Sequence, residues 1–397
     1  MPIRRTPLMS ALQVLFMAAV VAVAATTSGF GSQNALAGVV GPSVTPPELS
    51  ARTQPSTTLT SAEPSRPPTT QPTPAPSTAP ATSAPTTRAP QGSWANDIGT
   101  PGTNFLGVST ATDSAEEIQL FADAAGRMPD VVMLSRDWAS GGFDLVAMER
   151  LWAAGHVPMV AWEPWDHTSR GGGRLRSVQP EYALSTIIDG KHDEYLRQWA
   201  ADAAAWGHPL ILRFAHEMNG YWYPWAELAN NNTSGEFIDA WRHVHEIFAA
   251  AGANNVIWVW SPNLDSATLQ PIDSLWPGDE YVDWVGLVGY LGNGIDPRVW
   301  TPSFDELFGP TLDEVRVFTE QPIVITEIGA TELGGQKANW IADVLSSINS
   351  RPDIIGLVWF EIDKESDWRI VTSTEATAAF AAGVAGPAWG FRPDVTP

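Results

Sequence analysis

The stretch Leu212-Arg213-Phe214-Ala215-His216-Glu217-Met218-Asn219-Gly220-Tyr221-Trp222-Tyr223-Pro224-Trp225 decides how this chain folds. Its first part continues an apolar run from Pro209 that reads as a buried strand. The run stops at a His-Glu pair, and aromatic residues then crowd Tyr221 to Trp225. A second stretch has the same grammar: Pro322-Ile323-Val324-Ile325-Thr326-Glu327-Ile328-Gly329. A β-branched run leads to a Glu where the strand is expected to stop, and Gly follows soon after. The two glutamates lie far apart in sequence, so only the fold can bring them together. In a barrel of eight βα units all strand C-termini open on one face, where reacting groups collect.

The rest of the chain supports that architecture. Apolar runs predict strands at 105–109, 131–135, 157–162, 210–215, 256–261, 284–290, 323–327 and 355–360. Helical periodicity falls between and after them, at 115–125, 145–154, 193–206, 236–250, 304–319, 337–347 and 375–382. The interval 265–280 is the least helical. This alternation predicts an α/β fold, a (β/α)8 TIM barrel, over residues 94–397. A doubly wound open sheet is the alternative. No Gly-rich phosphate loop follows the first strand, however, and Gly171-Gly172-Gly173 reads as a flexible loop.

Before the barrel, residues 1–37 read as a signal peptide. Arg4 and Arg5 supply the positive region, Leu15 to Ala25 the apolar core, and Ala35-Leu36-Ala37 a small-residue cleavage site. An uncleaved anchor is the alternative, and no transmembrane helix is expected once the signal is removed. Residues 38–93 are rich in Pro, Thr, Ser and Ala, and read as a disordered linker that buries too little apolar area to offset chain entropy. The expected location is secreted or extracellular, with cell-surface association left open. The absence of cysteine excludes disulfides, thiolate metal sites and cysteine nucleophiles. A net charge of −22 argues against nucleic acid as a partner, whereas a neutral polysaccharide is indifferent to it. All 19 Trp lie at or after Trp94, so the barrel region holds every indole available for a sugar cleft.

A carboxyl walled by aromatic rings is suited to general acid catalysis, because an apolar wall raises its pKa and flat rings stack on sugar faces. The run His216-Glu217-Met218-Asn219-Gly220-Tyr221-Trp222 resembles the signature of glycoside hydrolase family 26, the β-mannanase family, and so does Thr326-Glu327-Ile328-Gly329. The resemblance extends from about Asn104 to Phe360. It implies a retaining enzyme with Glu217 as acid/base and Glu327 as nucleophile. It further implies substrate-binding roles for His216, Trp222 near the cleaved sugar, Tyr290 as hydrogen-bond donor to the nucleophile, and Trp359 as the floor beneath the sugar. Trp162 and Trp165, in Trp162-Glu163-Pro164-Trp165, are expected to form a binding wall. Glu163 stands as a decoy carboxylate on the third strand, and Glu361, Asp363 and Asp137 read as binding or structural. His243 and His245 lie two apart on a helix and face different ways, so no metal motif is visible and no cofactor is expected. The expected partner is a plant or microbial β-glycan, with mannan favoured, cleaved by an endo-acting monomer. Mixed-linkage β-glucan and β-1,3-xylan are alternatives within the family, and a non-catalytic carbohydrate-binding barrel is the alternative outside it.

Overall fold

Eight short apolar runs become eight parallel strands: β1 (Phe105–Thr110), β2 (Val131–Asp137), β3 (Val157–Glu163), β4 (Leu210–Phe214), β5 (Val256–Trp260), β6 (Trp284–Leu291), β7 (Ile323–Ala330) and β8 (Ile354–Glu361). They pair in sequence order, and β1 pairs with β8 to close the barrel. The computed structural model describes residues 104–169, 176–292 and 296–390. The expected signal peptide 1–37, the linker 38–93 and the triple glycine at 171–173 lie outside these.

Helices cover the strands: α1 (Ala115–Ala125), α2 (Leu145–Ala153), α3 (Leu184–Ile188), α4 (Asp193–Trp206), α5 (Glu236–Ala251), α6 (Phe304–Phe318), α7 (Lys337–Ser350) and α8 (Thr374–Val384). Local chemistry sets their ends. Ser114 caps α1 by accepting from Glu117 N, and Gly126 ends it in the left-handed region, φ 74°. Ser303 and Glu306 form a capping box at the start of α6. The weakly helical interval after β5 holds a single 3₁₀ turn, Ile272–Leu275. The short helix α3 was not anticipated.

Strand alternation divides the apolar residues into two sets. Phe105, Val131, Met159, Ile211, Ile257, Val324 and Val358 pack together inside the barrel. Their neighbours Leu106, Val132, Val160, Leu212, Trp258, Ile325 and Leu357 pack outward with the helices. The alternation breaks once where it matters most. In the β6–β7 register Leu287 faces Ile325 but Val288 faces Glu327, so Thr326 is an extra residue. The β7–β8 register shifts over the same span. Bulges re-aim side chains near active sites. This one turns both Thr326 and Glu327 away from the helix layer that takes Ile325 and Ile328. Glu327 therefore does not end its strand, as the sequence suggested. The strand runs on to Ala330 because pairing resumes past the bulge.

Two glycines test how tightly β6 and α6 are packed. A Cβ on Gly289 would lie 2.4 Å from Phe308 Cζ, whereas one on Gly309, inside α6, would meet nothing within 4 Å. Gly289→Ala is expected to cost roughly 1–3 kcal/mol, lowering the melting temperature by roughly 2–12 °C. Gly309→Ala is expected to change it little, since alanine's better helix propensity is offset by the crowding of a Cβ against the following Pro310. Calorimetry on both variants checks this, and wild-type melting of Gly289→Ala would mean that the β6–α6 contact is loose.

Candidate active site

The C-terminal ends of the strands surround a cleft of about 360 Å³ that contains both glutamates of the sequence motifs. Where β4 ends, Ala215 and Glu217 both adopt positive φ, 46° and 54°. The backbone is pinned on both sides of this turn: Ala215 N donates to Trp162 O of β3 at 3.0 Å, and Glu217 N to Ser261 O beyond β5 at 2.7 Å. Such conformations cost of order 1–3 kcal/mol each in a non-Gly residue and persist only where the surroundings impose them. Here they carry the chain over the rim so that Glu217 turns into the cleft.

The two carboxyls have different surroundings. Glu217 accepts from the Trp222 indole (2.8 Å, Oε2) and the Asn263 amide (2.8 Å, Oε1), both neutral donors. Burial pushes it up to about 7; the Glu327 charge adds to the push, while Arg213, Trp222 and Asn263 oppose it. Gly220 lets the indole reach this position, because a Cβ there would lie 2.5 Å from the Trp222 ring. Glu327 accepts instead from a cation. Arg213 Nη1 donates to Oε2 at 2.7 Å, and the Tyr290 phenol donates to Oε1 at 2.7 Å. Arg213 is itself buried at 1% exposure, the inward residue of β4, and its Nε donates to Ser261 Oγ at 3.0 Å. Ser261 Oγ shares a 2.9 Å hydrogen bond with Thr326 Oγ1, the bulge residue next to Glu327. Burial and the Glu327 charge hold the Tyr290 phenol far above its ordinary value, so it remains a donor.

Other residues complete the walls. His216 is buried, and burial followed by the nearby Arg213 holds its imidazole well below the ordinary value, so it is neutral. Its Nε2 lies 3.3 Å from the Tyr223 hydroxyl, and its Nδ1 has no partner among the described residues. Trp165 lines the cleft and donates its N–H to Glu163 at 2.8 Å. Glu163 is a third carboxyl in the cleft, pushed by burial up to about 7 against that indole hydrogen bond. Asp137 accepts from the Ser140 backbone N–H and bonds His167 Nδ1 at 2.5 Å, aiming that imidazole at the cleft.

Two expected binding residues are elsewhere. Trp162 is fully buried and faces outward, packed among Trp138, Tyr195, Trp199 and Phe248. Trp359 is 1% exposed, packs on Phe380 of α8 and donates to Trp368 O at 3.1 Å. Strand parity is the reason for both: the inward neighbours are Ala161 and Glu163 on β3 and Phe360 on β8, and these line the cleft. Phe360, not a tryptophan, is thus the aromatic residue that β8 offers to the cleft. Arg213, Asn263 and Tyr223 were missed by reading the sequence. Arg213 had a signal, a lone charge in an apolar strand at the parity of the inward Ile211; Asn263 had none.

Comparisons with known proteins point to one family. The model of glycosyl hydrolase family 26 matches residues 186–344. Endoglucanase H of Acetivibrio thermocellus is 34% identical over 284 residues, which are 69% of this chain but 30% of that protein. A mannan endo-1,4-beta-mannosidase of Bacillus subtilis is 25% identical over 207 residues, 49% of this chain and 51% of the relative. The chain thus spans 30% and about half of the length of these two relatives. The catalytic domain of a Bacillus sp. endo-beta-1,4-mannanase superposes with a TM-score of 0.56 at 19% identity, covering 76% of this chain and 90% of that one, a likeness of fold.

The electrostatics give a direct expectation. Glu217 titrates near 7 in carboxyl-carbon NMR of glutamate-labelled protein, and Glu327→Gln lowers that midpoint by removing a charge that raises it. A midpoint unmoved by Glu327→Gln would show that the two carboxyls do not interact.

Proposed function

Because this chain belongs to glycosyl hydrolase family 26, we propose that it is a secreted, retaining endo-β-glycanase whose preferred substrate is β-1,4-mannan. One observation carries the reading: two carboxyls share one cleft under opposite conditions. Glu327 is held by a guanidinium and a phenol, and Glu217 is pushed up to about 7 among neutral donors. Retaining and inverting hydrolysis both require that division, and retention itself is taken from the family. A Glu327 oxygen attacks the anomeric carbon while Glu217 gives its proton to the leaving oxygen. Water then attacks the anomeric carbon; Glu217, now ionised, takes its proton, and the bond to Glu327 breaks as the new carbon–oxygen bond forms. Arg213 and Tyr290 keep Glu327 aimed, and Trp222 and Asn263 keep Glu217 aimed. Export rests on the signal-like residues 1–37.

The mannan preference draws on relatives named as mannan endo-1,4-beta-mannosidases. A mannan site would read the axial 2-hydroxyl, and a polar group left unpaired by glucose costs roughly 1–3 kcal/mol. The 34% identity to endoglucanase H favours a β-glucan as the second reading, with mixed-linkage glucan the form to test. That name describes a protein of which this chain matches 30%, and the three mannosidases are matched over 23%, 51% and 31% of their own length.

The test is a panel of β-mannan, mixed-linkage β-glucan and β-1,3-xylan with analysis of the first anomer released. Mannan is expected to be cleaved fastest, with retention. Cleavage of glucan alone would overturn the mannan preference and keep the mechanism; inversion would overturn the mechanism. Glu217→Ala should lower kcat/KM on polymer by about 10²–10⁴-fold while sparing aryl glycosides, whose leaving group needs little protonation. Glu327→Ala should lose both, with azide restoring aryl glycoside cleavage to the inverted product. Wild-type turnover should fall as pH rises through about 7, because Glu217 then loses the proton it donates.

A further inference from the structure

Next to the cleft lies an open groove of about 420 Å³, lined by Ser177, Val178, Tyr221, Leu228 and Asn231 among others. Its walls continue those of the cleft: Ser177 follows Arg176 and Tyr221 precedes Trp222, and both Arg176 and Trp222 line the cleft. The Tyr221 ring meets the Trp222 indole edge-on at 5.3 Å, so one aromatic surface runs from the Glu217 hydrogen bond into the groove.

The groove floor is braced. Asn230 accepts from Gln179 N at 2.8 Å and donates to Gln179 O at 2.7 Å. Asn232 accepts from Leu184 N at 2.9 Å and donates to Pro224 O and Ala226 O at 2.7 and 2.8 Å. Between these two committed amides, Asn231 is exposed, its side chain making no hydrogen bond with the described residues, and it stands in the left-handed region at φ 59°. Leu228 is 53% exposed beside it. The one carboxylate of the lining, Glu227, is satisfied by Gly235 N, Phe237 N and the Gln270 amide. None of the described lining residues is basic. Aromatic and aliphatic surface with a free amide suits a neutral sugar better than an anion.

We propose that this groove binds the polysaccharide on the leaving-group side of the cut, with Tyr221 and Leu228 giving apolar surface to a sugar face and Asn231 bonding its hydroxyls. The side follows from Glu217, whose proton goes to the leaving oxygen and whose indole partner joins the groove wall. Glu327, Tyr290 and Phe360 belong to the other part of the cleft. The inference rests on the hydrolase reading above and adds residues that determine binding of a long chain.

Two variants and two substrates test it. Asn231→Gly keeps the left-handed backbone and deletes the amide; Tyr221→Ala deletes the ring. Each is assayed on mannan, or on mixed-linkage glucan if that is what the wild type cleaves, and on an aryl β-glycoside of the same sugar, whose leaving group does not reach the groove. Tyr221→Ala should lower kcat/KM on polymer by about tenfold, and Asn231→Gly by a few fold, both mainly through KM. The aryl glycoside should be turned over with nearly unchanged kcat/KM by Asn231→Gly. Equal losses on both substrates would assign Tyr221 to support of Trp222 alone, and wild-type behaviour of Asn231→Gly on polymer would remove the amide; together they overturn the groove. If the wild type cleaves neither substrate, the hydrolase reading fails. Calorimetric titration of mannohexaose into wild type and Asn231→Gly then decides the groove: weaker binding by the variant supports it, and equal or absent binding overturns it.

Discussion

The ion pair between Arg213 and Glu327 is the constraint on which the rest of the site depends. A guanidinium at 1% exposure has surrendered nearly all its water, and such a charge is tolerated only when paired and hydrogen-bonded. Arg213 meets that demand at Nε and Nη1 through Ser261 and Glu327, with Nη2 left without a partner among the described residues, and so ties β4 to β7 across the barrel and to the end of β5. The bulge at Thr326 follows from this requirement. With regular alternation through Thr326 in place of the bulge, Glu327 would share the parity of Ile325 and face the helices, leaving Arg213 unpaired. Arg213 also opposes the rise of Glu217 and adds to the burial that keeps His216 neutral, so one cation acts on several groups of the site.

Such a site costs stability, and the cost has a direction in pH. Glu163 and Glu217 in the cleft, and Glu361 at the end of β8 outside its lining, are each raised from an ordinary value of 4.5 to about 7, chiefly by burial. Between those values the folded protein holds protons that the unfolded chain would release. These three groups therefore lower stability as pH rises from about 4.5 through about 7. The positive φ values of Ala215 and Glu217 add backbone strain at the same place. The large apolar layers inside and outside the strands offset both.

The barrel was legible because each strand is a short β-branched or apolar run and each helix carries its own period. The two glutamates were legible because they break such runs at strands four and seven. Side-chain direction was not. Trp162 and Trp359 lie at the right ends of the right strands and point the wrong way, since a shift of one residue exchanges cleft for helix layer. The bulge that reverses parity in β7 has no marker in Ile323-Val324-Ile325-Thr326-Glu327, because it arises from pairing with β6 and β8. Asn263 reaches Glu217 only after closure brings the end of β5 beside the end of β4.

The abundance of tryptophan has a different meaning in the fold than in the composition. Most of the described indoles whose ring contacts are known sit in the outer layer, as Trp138, Trp162, Trp199, Trp241 and Trp258 do among phenylalanines. Among the described residues, Trp165 and Trp222 are the indoles that line the cleft, and each gives its N–H to a carboxyl, Glu163 and Glu217. The ring excludes water and so raises the carboxyl pKa, while the N–H favours the charged form and lowers it. Burial wins in both cases, and both carboxyls reach about 7. A tryptophan beside a carboxyl is therefore a wall and a holder together: it keeps the acid protonated near neutrality and fixes where its proton points. The aromatic run after Glu217 was informative in the sequence for this reason, more than for the number of rings it could offer to a sugar.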